Sequence, residues 1–299
     1  MNGVRWHGCL APRLFNRVLS NWALFNRVLS NRALFSRLLF NVPLCGVLLF
    51  NMLLVGLPDT AVAASMNDLL RAYPDALAGF DGSDLIWRDG TRMPVGEGQP
   101  AMSMEQQIRR GSILDQLRLD YPAGTTLLPA PLQDPGRVRN RAFFDKMYGD
   151  CRAGEVAPRL VPVVWLPATW GHTVRVTAVN GVDRRLAAIS RELDALPAAD
   201  KKYLYPPGGT YTCRPVADTG QTSMHGWGAA IDINPAYADY WLWHRGAAGL
   251  PAYTNRIPAE IVAVFERHGF IWGGRWAHFD TMHFEYRPEL TGYDPKAAQ

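Results

Sequence analysis

The pattern of apolar and polar positions divides the chain into three stretches of different texture. Residues 42–57, VPLCGVLLFNMLLVGL, form an apolar run interrupted only by Asn51. From 65 to about 150, short apolar groups alternate with Gly, Asp and Pro, which predicts loops and hairpins around a brief strand at 85–87. Within that stretch MSMEQQIRRGSILDQLRL, 102–119, has helical spacing, and NRAFFDKMYG, 140–149, predicts a shorter helix; a Pro-rich stretch at 129–135 separates the two.

From Arg159 the rhythm becomes regular. LVPVVWL (160–166) and HTVRVTAV (172–179) read as strands by their β-branched and alternating content, joined by a turn around 168–171. VDRRLAAISRELDAL (182–196) has apolar positions three and four apart, the mark of a helix, with Asp183 placed to cap it or to favour its positive end. TYTCRPV (210–216) and AAIDIN (229–234) are further strand candidates. IPAEIVAVFERHGF (257–270) predicts a helix with Pro258 in its first turn and Gly269 at its end. Strands and helices follow each other without βαβ regularity, which points to an α+β fold with a small antiparallel sheet and flanking helices.

Length sets the scale next. A chain of 299 residues buries roughly three quarters of its unfolded surface and needs no metal or disulfide merely to fold. The formal charge of +4 hints at nucleic acid, but the hint dissolves when the chain is divided. Six arginines and no acidic residue precede residue 59. What remains beyond Ala63 holds 25 Lys and Arg against 26 Asp and Glu, so global basicity gives no case for a nucleic-acid partner.

The Arg-rich opening, the apolar run and then PDTAVAAS have the layout of a secretory signal, with Ala61-Val62-Ala63 as the A-x-A site. An uncleaved anchor is the competing reading, although the run is shorter than the roughly 20 residues that span a bilayer comfortably. The expectation is an exported protein, periplasmic or extracellular, with no stable membrane insertion after cleavage. Before the run, LFNRVLSNWA and LFNRVLSNRA repeat with a period of ten, so 1–64 reads as a basic repeat region plus signal peptide. Residues 65–158 then read as an N-terminal elaboration and 159–299 as the domain that carries the candidate chemistry. Export also changes how the cysteines read. Only Cys151 and Cys213 lie beyond the leader, and one pair in an oxidising compartment predicts one disulfide.

Candidate chemistry gathers near the C-terminus. His225 and Asp232 stand in SMHGWGAAIDIN (223–234), and His278, Asp280, His283 and Glu285 in WGGRWAHFDTMHFE (272–285). Two imidazoles and a carboxylate make a catalytic zinc set when a fourth position stays open. They are equally compatible with ordinary polar residues in aromatic-rich loops, and the HExxH signature is absent. His225 and Asp232 are seven residues apart, so on one straight strand they would face opposite ways. Convergence needs a turn between them, which Gly226 and Gly228 permit. His283 must come from a neighbouring element.

These two segments together resemble the signature of the M15 family of zinc peptidases, the D-alanyl-D-alanine carboxypeptidase and VanY-like group, and within it the branch of L-alanyl-D-glutamate endolysin peptidases. The resemblance implies the M15, hedgehog-like peptidase fold with one zinc per chain, held by His225, Asp232 and His283. It further implies Asp280 as catalytic base, Arg214 as the cation that steadies substrate or transition state, and a peptidoglycan stem peptide as substrate. Glu285 is the second carboxylate in reach, as a partner of His283 or as the base itself. His278 is either an oxyanion donor or a satisfied structural histidine. An exported zinc peptidase acting on another peptide or protein, and an inactive cell-wall-binding module, are the competing functions. A serine mechanism through Ser223 fits worse, since no G-x-S-x-G context surrounds it.

Overall fold

Short side chains at loop ends decide where most of the helices begin. In the computed structural model, which describes residues 64–99, 101–124, 133–216, 219–244 and 252–296, Ser65 and Asp68 form a reciprocal cap on α1 (Met66–Ala72). Three strands follow as an antiparallel meander: β1 (Leu77–Phe80), β2 (Asp84–Trp87) and β3 (Arg92–Pro94). The single helix expected over 102–119 is instead two, α2 (Met104–Arg110) and α3 (Ile113–Leu117). Ser103 and Ser112 each cap one of them, with Gln106 and Asp115 reaching back. Gly111 between them is extended, and a Cβ there would lie 2.5 Å from Val138 Cγ1 and from the Gln107 carbonyl. A serine cap and a close-packed glycine override the helical spacing. Asn140 then caps α4 (Arg141–Tyr148), whose Phe143, Phe144 and Tyr148 are fully buried.

The hairpin of β4 (Leu160–Trp165) and β5 (His172–Thr177) forms in the expected place. α5 (Val182–Asp194) packs on it, with the Ser190 hydroxyl accepting from Leu166 N–H and donating to the Val164 carbonyl. Asp183 lies in the first turn of α5 but does not cap it; Gly181, at φ 70°, is the cap residue. A one-turn helix, α6 (Ala198–Lys201), follows. The strand expected over 210–216 does not form. Proline at 215 has no ladder N–H, and that stretch makes only an isolated bridge, Pro215 to Thr222. A disulfide, Cys151 to Cys213, holds it to the turn after α4.

The last sheet carries the chemistry. β6 (Ala230–Asp232), β8 (His283–Tyr286) and β7 (Phe270–Trp272) lie in the order β6-β8-β7, all antiparallel, with Asp232 paired to His283 in register. α7 (Ala259–Arg267) packs on it through Phe265, whose ring stacks on Phe284 at 3.8 Å. Pro258 is the residue before α7 rather than in its first turn, and Gly269 ends the helix at φ 80°. A short α8 (Pro288–Thr291) completes the described chain. The fold is therefore α+β, with three small antiparallel sheets among the described residues where one was expected.

Among the described residues the larger hydrophobic core runs from Leu69 in α1 to Tyr286 in β8, drawing on residues from both sides of position 158, and a smaller cluster gathers Tyr121, Ile271, Trp276 and Leu290. No helix among the described residues is long and apolar enough to cross a membrane. The expected signal segment and its repeats, over 1–63, lie outside the described residues, as do residues 129–132 of the Pro-rich stretch.

Candidate metal centre

His225 and Asp232 converge because the chain between them reverses. Ser223 caps a one-turn 3-10 helix (Met224–Trp227), and Gly228 leaves it in the left-handed region at φ 67°. A Cβ on Gly228 would lie 2.5 Å from Leu160 Cδ2, so both the conformation and the packing demand glycine. The chain then enters β6, which ends at Asp232, directly opposite His283. Ser223, set aside above as a nucleophile, is a capping residue that also lines the cleft.

Three atoms now face one point. His225 Nε2 lies 3.1 Å from Asp232 Oδ1 and 3.1 Å from His283 Nδ1, and His283 Nδ1 lies 3.0 Å from Asp232 Oδ1. A tetrahedral zinc with bonds of about 2.0–2.1 Å sets its ligands about 3.3 Å apart, so this triangle is the right size for one face of the tetrahedron. The opposite edges of both rings are also engaged. His225 Nδ1 donates to the Thr210 carbonyl at 3.0 Å, and His283 Nε2 to Glu285 Oε2 at 2.8 Å. With those protons so placed, loss of the further proton that His283 holds against Asp232 leaves both inward nitrogens with lone pairs beside a carboxylate, an arrangement that would take a cation. The residues fit a divalent metal. Burial alone would depress the basicity of His283, yet the carboxylates of Asp232 and Glu285 overcome it and raise its pKa to about 9. Asp232 and Glu285 are both held well below the usual carboxylate range against the cost of burial, Asp232 by the two histidines and Glu285 by Arg139, His283 and Arg287.

Asp280 stands outside the triangle. Its backbone N–H donates to the Gly273 carbonyl and its carbonyl accepts from His283 N–H, which fixes the turn leading into β8. Its Oδ1 is buried without a hydrogen-bond partner. Burial, reinforced by the charge of Asp232, raises its pKa to about 6. Asp232, Asp280, His225 and His283 line a cleft of about 340 Å³, and Arg214 lies on its wall in the disulfide-held segment. Tyr240 and Trp243 form another side, and Trp243 is 56% exposed.

Glu285 and His278 stand in different surroundings. Glu285 is fully buried and bonded to His283, hence a partner of that ligand. His278 does not line this cleft. Its Nδ1 donates to Asp134 at 2.6 Å, its backbone N–H to the same carboxylate at 2.8 Å, and its ring packs edge-on to Trp241. Sequence reasoning missed Arg137 and Arg139, which line the cleft from a segment well upstream of the metal donors, with Val138 buried between them. The only available signal was the alternation Arg-Val-Arg.

An open cleft with three convergent metal donors, and a buried carboxylate oxygen without a partner beside them, is a candidate site for metal-assisted hydrolysis. Residues 217–286 match the model of an M15 peptidase family described as D-alanyl-D-alanine carboxypeptidase. That stretch is 70 of the chain's 299 residues and holds all three donors, Asp280 and Glu285, but neither Arg214 nor the 133–140 segment. It is an M15 zinc-peptidase segment with a His/Asp/His site, and it supports a metallopeptidase activity. No curated protein and no solved structure matches the chain.

Proposed function

We propose that the protein is an exported zinc peptidase, periplasmic or extracellular, that hydrolyses an amide bond in peptidoglycan stem peptides. The bond is that of a D-Ala-D-Ala carboxypeptidase or of an L-Ala-D-Glu-type endopeptidase. The observation that carries this reading is the convergence of His225, Asp232 and His283 beside the unpaired carboxylate of Asp280, inside the stretch that matches the peptidase family. The disulfide is in keeping with an oxidising compartment.

When bound, zinc supplies Lewis acidity and brings the pKa of water down towards about 7. Asp280 takes the proton of the attacking water and passes it to the leaving amine. A pKa near 6 leaves it ionised at neutral pH and still basic enough for the task. Arg214 offers its guanidinium to the negative charge that develops on the carbonyl oxygen or to a carboxylate of the substrate. Asp232 holds charge opposite both imidazoles, and Glu285 and Thr210 hold the rings in orientation.

The test is incubation of the purified protein with defined muropeptides, with and without a chelator, and identification of products by mass spectrometry. Loss of one alanine establishes the carboxypeptidase, and release of a larger fragment the endopeptidase. Chelator-sensitive cleavage is expected. A zinc-loaded protein that cuts no muropeptide refutes the assignment to peptidoglycan.

A further inference from the structure

Glu285 needs a counter-charge, and the structure draws it from far upstream. Residues 133–140 pass so close to β7 and β8 that a Cβ on Gly136, at φ 96°, would lie 2.2 Å from Ile271 Cδ1 and 3.3 Å from Glu285 Oε1. Three residues on, Arg139 places Nη2 in an ion pair with Glu285 Oε2, the same oxygen that accepts from His283 Nε2. The two side chains are 7% and 0% exposed.

The other cation near Glu285 is already shared. Arg287 donates through Nε to Glu289 Oε1 at 2.5 Å and through Nη1 to the Gly136 carbonyl at 2.8 Å, and reaches Glu285 Oε1 only at 3.3 Å. A buried carboxylate without a close cation is costly, so Arg139 is the main balance for Glu285. Arg139 has a second route to the same ligand. Its guanidinium lies 6.0 Å from the Trp276 ring, whose centroid is 5.4 Å from that of His283.

We infer that Arg139 is a positioning residue of the metal centre. By holding Glu285 Oε2 it keeps the His283 proton on Nε2 and leaves Nδ1 open to a divalent metal. The 133–140 segment, upstream of the stretch that matches the peptidase family, is thus a working part of the site. This inference rests on reading His225, Asp232 and His283 as metal donors.

The experiment is a zinc titration of the full protein against a competing chelator, for wild type, R139Q, R139K, E285Q and the double variant. R139Q is expected to weaken zinc binding by about tenfold or more, the usual range for partners of metal ligands. R139K, which keeps the charge, recovers part of the loss. In the E285Q background R139Q adds less than about twofold, since Arg139 acts through Glu285. A merely structural arginine would lower the melting temperature and leave the two effects on zinc additive. Nitrogen NMR of the histidine rings in the zinc-loaded wild type is expected to place the His283 proton on Nε2. Wild-type zinc affinity in R139Q, additivity with E285Q, or a proton on Nδ1 overturns the inference. If R139Q does not fold, R139K and the wild-type ring spectrum decide it. A wild-type protein that binds no zinc refutes the metal centre itself, a separate outcome.

Discussion

Asp280→Asn should cost activity and raise stability together, because the same burial that suits this carboxylate to the proposed role of base makes it a burden to the fold. The substitution keeps the size of the side chain and breaks no hydrogen bond at Oδ1, which has none. A carboxylate whose pKa rises from 3.8 to about 6 on folding opposes folding once the pH exceeds both values. The rise corresponds to about 3 kcal/mol at pH 7. Contact with the solvent in the cleft reduces this to about 1–2 kcal/mol. For a domain of this size that is a gain of roughly 3–6 °C in melting temperature of the metal-free protein. Loss of the general base should lower kcat by about 10²- to 10⁴-fold. Zinc content should be unchanged, because Asp280 is outside the donor triangle. The assays are muropeptide turnover, metal analysis and a thermal melt of the zinc-free protein. A zinc-loaded D280N with near-wild-type kcat would refute the base assignment. A lowered melting temperature would refute the burial argument.

His283→Ala removes a donor from the triangle and should abolish both zinc retention and hydrolysis; an active, zinc-loaded H283A would overturn the ligand set. Zinc must displace the proton that His283 holds up to about pH 9 in the metal-free protein. Zinc affinity should therefore climb by about tenfold per pH unit below about pH 9 and then level off. The sign is opposite for the metal-free fold. The raised pKa of His283 contributes stability that is complete below about 6.5 and lost as the pH rises through about 9, which melts across that window would show. Cys213→Ser frees the cleft wall that carries Arg214 and opens a loop of 62 residues. A loss of about 2–4 kcal/mol in denaturant unfolding is expected, and an unchanged midpoint would deny the bridge any part in stability.

Much of this molecule is legible from local spacing. The β4–β5 hairpin, α4, α5 and α7 form where the periodicity puts them, because period two and period 3.6 are properties of neighbouring residues. The need for a reversal between His225 and Asp232 follows from an odd interval and two glycines, and Gly228 makes that reversal at φ 67°. The Cys151–Cys213 disulfide follows from setting aside the two of four cysteines that fall in the expected leader.

Other features answer to partners that no local pattern contains. Helix 102–119 breaks at Gly111 because Val138, 27 residues later, occupies the space a side chain would need. The strand expected over 210–216 is lost to a proline and to a bridge back to Cys151. His278, two residues before Asp280 in sequence, turns to Asp134, 144 residues upstream, and does not line the cleft. Glu285 is held as a buried anion against His283 by Arg139, 146 residues upstream, and by Arg287. The sequence by itself determined which side chains can bind a metal and move a proton, since donor chemistry and short-range spacing are intrinsic to it. Only the tertiary structure decided which of them are brought together, because burial and charge pairing depend on segments that meet nowhere but in the folded chain.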